Sequence, residues 1–175
     1  MPLPERKENR LKNFDYGQEG CYFVTVGNDL CVVPYSQNRQ RIFNIESVGN
    51  DPCVVPYSQN QIIHKWVNET EHKFPNIKFE KYVIMPDHLH FIVNIKERHV
   101  GRSLQDVLRY FKTMTTNEYI RGVKDGNLPP FNKKLWQKSY YDHIIRNQAD
   151  YNEIWEYIEN NPQKWVLTHN TDYKI

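Results

Sequence analysis

The segment Tyr82-Val-Ile-Met-Pro-Asp-His-Leu-His-Phe-Ile-Val-Asn-Ile95 constrains this chain more than any other, because its apolar residues alternate and its centre holds a turn signal, Pro86-Asp87. Side chains along a strand point to opposite faces in turn, so Leu89, Phe91, Val93 and Ile95 share one face while His88 and His90 share the other. The apolar face has to be covered. The opposite face carries two imidazoles side by side, each able to bind a metal through a neutral ring nitrogen, and together they form half of a divalent-metal site. A pair of solvent-exposed histidines on a strand fits the same pattern, so the choice depends on what else the chain brings to that face.

The length, 175 residues with 39% apolar side chains, is that of one domain with a proper core, and a single domain over residues 1–175 is expected. No apolar run reaches membrane-spanning length. The opening Met-Pro-Leu-Pro-Glu-Arg-Lys-Glu-Asn-Arg has no apolar stretch to serve as a signal peptide, which predicts a cytoplasmic protein with no membrane partner. Cys21, Cys31 and Cys53 are odd in number and lack close pairing, so they read as reduced and structural. A net charge of +2 does not by itself announce a nucleic acid. An anionic ligand would need local clusters: Arg6, Lys7, Arg10 and Lys12; Arg121 and Lys124; or Lys133, Lys134 and Lys138, all of which also suit a solvated surface.

Cys21 to Val26 is β-branched and aromatic, as a first strand should be. Gly27 to Asn38 then recurs almost unchanged as Gly49 to Asn60. Two copies are too few for a solenoid, so this reads as a local duplication, a peripheral insertion within about residues 27–60. Ile62, Ile63, Trp66 and Val67 predict a helix over residues 61–74, and strands are expected over residues 78–85 and 88–95. Ser103 is a good N-cap for a helix running to about Arg121, and residues 122–130 read as a Gly/Pro loop. A short strand near residues 141–146 and a last helix over residues 149–160, stopped by Pro162, complete the pattern. These elements predict an α+β fold, an antiparallel sheet with helices packed on one face.

On the last helix Tyr151, Ile154, Trp155 and Ile158 form the apolar stripe, with Tyr157 on its flank and Asn161 one turn further on. A phenol and a carboxamide so spaced can reach a common point, while a helix-capping Asn beside a surface Tyr accounts for the same residues.

Three ordered motifs carry a resemblance: Val83-Ile-Met-Pro-Asp-His-Leu-His90, Leu135-Trp-Gln-Lys-Ser-Tyr-Tyr-Asp-His-Ile-Ile-Arg146 and Tyr157-Ile-Glu-Asn-Asn-Pro-Gln-Lys-Trp165. Together they resemble the REP-associated tyrosine transposases, within the single-tyrosine His-hydrophobe-His transposases of bacterial insertion sequences. The resemblance spans Tyr22 to Trp165, with the duplicated segment as its chief departure. It implies a ferredoxin-like or RRM-like sheet, His88, His90 and Asn161 as ligands of magnesium or manganese, and Tyr157 as nucleophile. It also implies that His143 and Arg146 contact DNA or support the site, that the partner is single-stranded hairpin or repeat DNA, and that the protein acts as a monomer or homodimer. Tyr119 and Tyr140 are rival tyrosines without a matching ligand one turn onward. Two other readings use the same residues: a non-catalytic nucleic-acid binder stacking bases on Tyr22, Phe23, Tyr82 and Phe91, and a metal-dependent nucleotide hydrolase.

Overall fold

The computed structural model describes residues 14–27, 57–97 and 103–169. Along them run β1 (Gly20–Gly27), α1 (Tyr57–Lys73), β2 (Ile77–Ile84), β3 (His88–Ile95), α2 (Leu104–Lys124), β4 (Tyr141–Ile145) and α3 (Gln148–His169). The strands form one antiparallel sheet in the order β2-β3-β1-β4. β2 and β3 make a tight hairpin around Pro86-Asp87, closed by the Met85 N–H donating to the His88 carbonyl at 2.8 Å. β1 lies between β3 and β4, with Gly20 opposite Ile95 at one end and Gly27 opposite His88 at the other.

Pairing of β2 with β3 passes from Phe79 opposite Val93 to Lys81 opposite Ile92, leaving Glu80 as an extra residue. Such a bulge resets the alternation, so Ile77 and Phe79 before it and Tyr82 and Ile84 after it all meet the core.

Leu89, Phe91, Val93 and Ile95 are fully or nearly fully buried against Ile63, Trp66 and Val67 of α1 and Leu104, Val107, Leu108 and Phe111 of α2. Each large apolar side chain buried this way contributes roughly 1.5–3 kcal/mol, so this is where the fold is held. The expected α+β sheet with helices on one face holds for α1 and α2. α3, however, lies over the other face, where Ile158 meets Phe23 and Ile92, with Ile154 and Trp155 at the margin.

Helix ends differ from expectation where a local signal was outweighed. Ser103 does precede α2, its N–H and hydroxyl both donating to the Asp106 carboxylate at 2.9 and 3.0 Å. The helix continues through Gly122 to Lys124 and stops at Gly126, whose φ of 73° suits a residue without a Cβ. Pro162 does not end α3 but lies buried inside it. A proline removes one helical hydrogen bond and costs about 3 kcal/mol, which lowers but does not forbid continuation. α1 begins at Tyr57, so the last four residues of the second repeat copy form its first turn, and Gly27 of the first copy ends β1; residues 28–56, with the remainder of the duplication, lie outside those described.

Candidate functional site

On the α3 face, strand register brings the polar groups together. Thr25 of β1 pairs with His90 of β3, and its Oγ1 is 2.8 Å from His90 Nδ1. His88 Nδ1 lies 2.6 Å from Asp87 Oδ1. A carboxylate only accepts, so His88 Nδ1 carries the hydrogen of that bond, and in the neutral ring Nε2 is then the lone-pair nitrogen. The two Nε2 atoms then face each other at 2.9 Å. Burial, then the adjacent His88, push the His90 imidazole down to about 3, with Asp87 opposing, so it is neutral at physiological pH and fit to ligate. Two imidazoles converging on one point from one strand face are a donor set that divalent cations take. The donor pair fits a divalent cation.

α3 brings Tyr157 to this pair. Its hydroxyl is 3.5 Å from His90 Nε2, a contact rather than a strong hydrogen bond, and its ring stands edge-on to Phe23, 5.9 Å between centroids. Phe23 in turn stacks on His90 at 5.3 Å, so β1 braces both imidazole and phenol. Tyr157 remains 44% exposed, so its hydroxyl is open to solvent. Asn161 follows one turn later on α3 and is partly buried.

Polar contacts add to the apolar docking of the helix. Tyr151 donates to Glu80 at 2.8 Å, Lys81 lies over the Trp155 ring at 4.2 Å and bonds Glu159 at 3.2 Å, and His143 Nε2 meets both Asp150 oxygens at 3.0 Å. The Arg146 N–H also donates to Asp150, at 3.1 Å. His143 and Arg146 therefore hold the first turn of α3, two turns from Tyr157, rather than joining the histidine pair. Thr25 and Asp87 escaped the sequence reading. Asp87 was visible as the neighbour of His88, whereas Thr25 becomes legible only once β1 and β3 are in register.

Tyr119 is buried and accepts a hydrogen bond from Gln59 at 3.2 Å, and Tyr140 is buried in the same α1/α2 core, so both rivals are remote from the histidine face. Of the stacking candidates, Tyr22 and Phe91 are core residues, Tyr82 packs against that core with its hydroxyl 2.6 Å from His64 Nδ1, and Phe23 is covered by α3. A bare sheet platform is thus absent among the described residues. Arg121, Lys124, Lys133, Lys134 and Lys138 are exposed, while Arg6, Lys7, Arg10 and Lys12, like Cys31 and Cys53, lie outside the described residues. Among the described residues no three His, Cys, Asp or Glu gather as a metal cluster, and no helix is long and apolar enough to cross a membrane. Among the described residues a third ligand would be of another type, such as a carboxamide.

The sequence model of the family described as "Transposase IS200 like" matches residues 32–161. An uncharacterized protein of Haemophilus influenzae is 33% identical over 177 aligned residues, covering 93% of this chain and 91% of the relative. A second Haemophilus influenzae protein, provisionally named a REP-associated tyrosine transposase, is 27% identical over 89 residues, 46% of this chain and 47% of its own. Among solved structures, a REP-associated tyrosine transposase bound to a REP hairpin superposes with a TM-score of 0.57 at 22% identity, over 89% of this chain and 73% of the other, and shares the fold.

Proposed function

This chain belongs to the family of IS200-like transposases, and from that premise we propose that it cleaves and rejoins single-stranded DNA through a covalent phosphotyrosine at Tyr157. The observation that carries the reading is the approach of the Tyr157 hydroxyl to His90 Nε2, 3.5 Å, across the two sides of a single site. The similar transposase solved with a REP hairpin supports hairpin or repeat DNA as the partner.

His88 and His90, with the Asn161 carboxamide as the oxygen donor, would hold magnesium or manganese. Such an ion, when bound, offsets the charge on the non-bridging oxygens of the phosphodiester. The remaining parts belong to the protein. Tyr157 Oη attacks phosphorus, the Oη–P bond forms, and the bond from phosphorus to the 3′ oxygen breaks with its electron pair leaving on that oxygen. The phenolic proton passes to water at the open side of the half-exposed ring, and the departing 3′ oxygen takes a proton from water. No water attacks phosphorus, so the phosphoester survives and a 3′-hydroxyl can reverse the step and join strands. Phe23 and the His90 ring fix the angle of the phenol. Asp87 and Thr25 fix the imidazoles.

Labelled single-stranded hairpin DNA incubated with manganese and run on a denaturing gel should give a protein-linked band, mapped by peptide mass spectrometry to Tyr157. An adduct at Tyr119 or Tyr140, or one that survives Tyr157→Phe, would overturn the assignment.

A further inference from the structure

We propose that Gln137 and Tyr141 form a subsite for one unpaired nucleobase beside the histidine pair; the proposal rests on the single-strand reading above. The first observation is a missing side chain. Gly27 lies opposite His88, so any side chain at residue 27 would project onto the histidine face. An ideal Cβ there would fall 2.4 Å from Cδ, 2.6 Å from Oε1 and 2.7 Å from Nε2 of Gln137. The Gln137 carboxamide thus takes the place of a residue-27 side chain, and side chains directly opposite in antiparallel strands have Cβ atoms about 4.5–5.5 Å apart. It stands across from His88.

The second observation is an exposed ring on the same face. Tyr141 pairs with Thr25, the partner of His90, and its ring meets Phe23 edge-on at 6.5 Å. It is 50% exposed, though large aromatic side chains are usually well covered.

The backbone between the two is held firmly. The Gln137 N–H donates to the Gly27 carbonyl at 3.0 Å, Lys112 Nζ donates to the carbonyls of Gln137 and Ser139 at 3.0 and 3.4 Å, and buried Trp136 donates to Thr115 at 2.9 Å. An ordered ledge therefore offers a carboxamide, which both donates and accepts, and an aromatic face. That pair of groups suits a single-stranded base, stacked on the ring and read along its edge. Gly27 and Thr25 are two residues apart, about 7 Å along the strand, a span one base can bridge.

The test uses labelled hairpin DNA with randomised single-stranded flanks, bound to full-length protein in a Tyr157→Phe background so that nothing is cleaved. Tyr141→Ala should weaken binding about 5- to 150-fold, the range carried by stacking of one base on one aromatic ring, and Tyr141→Phe should recover most of that loss. Sequencing of the bound fraction should show a base preference at one flanking position that Gln137→Ala removes. Either alanine variant behaving as its parent in its own readout overturns the subsite. An adduct assay on the same DNA, with Tyr157 intact, separates the two claims. Adduct formation with unaltered Tyr141→Ala binding overturns the subsite alone. Absence of adduct with weakened Tyr141→Ala binding supports the subsite and overturns the strand-transfer reading.

Discussion

The two faces of the sheet are built from the same strands and held by different physics. Toward α1 and α2, Leu89, Phe91, Val93 and Ile95 meet a wall of aliphatic and aromatic side chains. Toward α3 the buried apolar contact shrinks to Phe23, Ile92 and Ile158, rimmed by half-buried Val83, Ile145, Ile154 and Trp155, and Glu80, Lys81, His143 and Asp150 add polar contacts. One face is stable because it is dry. The other can carry chemistry because its polar groups are paired with one another, and the comparison teaches that stability and reactivity should respond to different substitutions within one strand.

The largest separation is expected at Tyr157. Tyr157→Phe keeps the ring against Phe23 and His90 and should leave no detectable adduct on a denaturing gel, while its unfolding free energy in urea moves by no more than about 0.5 kcal/mol. His88→Ala and His90→Ala should likewise abolish cleavage without unfolding the chain. A large stability loss in Tyr157→Phe would break the comparison.

On the dry face the expected order reverses. Phe111 is fully buried, and Phe111→Ala should cost about 3–5 kcal/mol in urea unfolding, a large share of the 5–15 kcal/mol typical of a whole domain. Adduct yield should then fall only with the fraction folded.

A smaller effect tests the polar docking. Asp150→Ala removes the contacts to His143 and to the Arg146 N–H, and because these groups are partly solvent-screened the cost should be about 1 kcal/mol. Hydrogen exchange should quicken in α3 and remain unchanged in α2. Burial, the largest single influence on Asp150, pushes its carboxyl up, but the His143 and Arg146 hydrogen bonds and their charges together hold it below the usual range. At Asp106 the Ser103 N–H is the leading cause of a similar lowering. A lowered carboxyl contributes stability above its unfolded value of about 3.9 and loses it as pH falls through the folded value. Acid unfolding below about pH 4 should therefore be shallower in Asp150→Ala and in Asp106→Ala than in the parent.

The smallest expected effect concerns the duplicated segment. Deletion of residues 28–37, inside the duplicated segment, should shift the melting temperature by only a few degrees, about 2–4 °C for each kcal/mol at this chain length, and should preserve the adduct.

Much of this was legible in the sequence, for identifiable reasons. The split of β3 into an imidazole face and an apolar face follows from the period of a strand, and the stripe on α3 follows from the period of a helix. Neither period says which face of a sheet a helix will choose, so the expected packing of helices on one face describes α1 and α2 and leaves out α3. Pro162 and Gly122 read as stops because propensity is local, while tertiary contact continues the chain through them. Thr25, Gly27 and Gln137 matter through register, a relation between residues far apart in sequence that no local pattern encodes. The three motifs made the family visible where physical pattern alone left Tyr157 and Asn161 open to a bland reading.

Glu80 gives β2 one residue more than its partner requires. Deleting a residue from a strand ordinarily inverts every side chain beyond the gap. Here, joining Phe79 directly to Lys81 would leave each remaining pair with β3 as it stands, and the effect would fall on the two side chains that Glu80 holds, Tyr151 and Asn94. The length of β2 is thus a trait the chain can vary apart from its core, so a shortened strand would keep its fold and lose one tether of the helix that carries Tyr157.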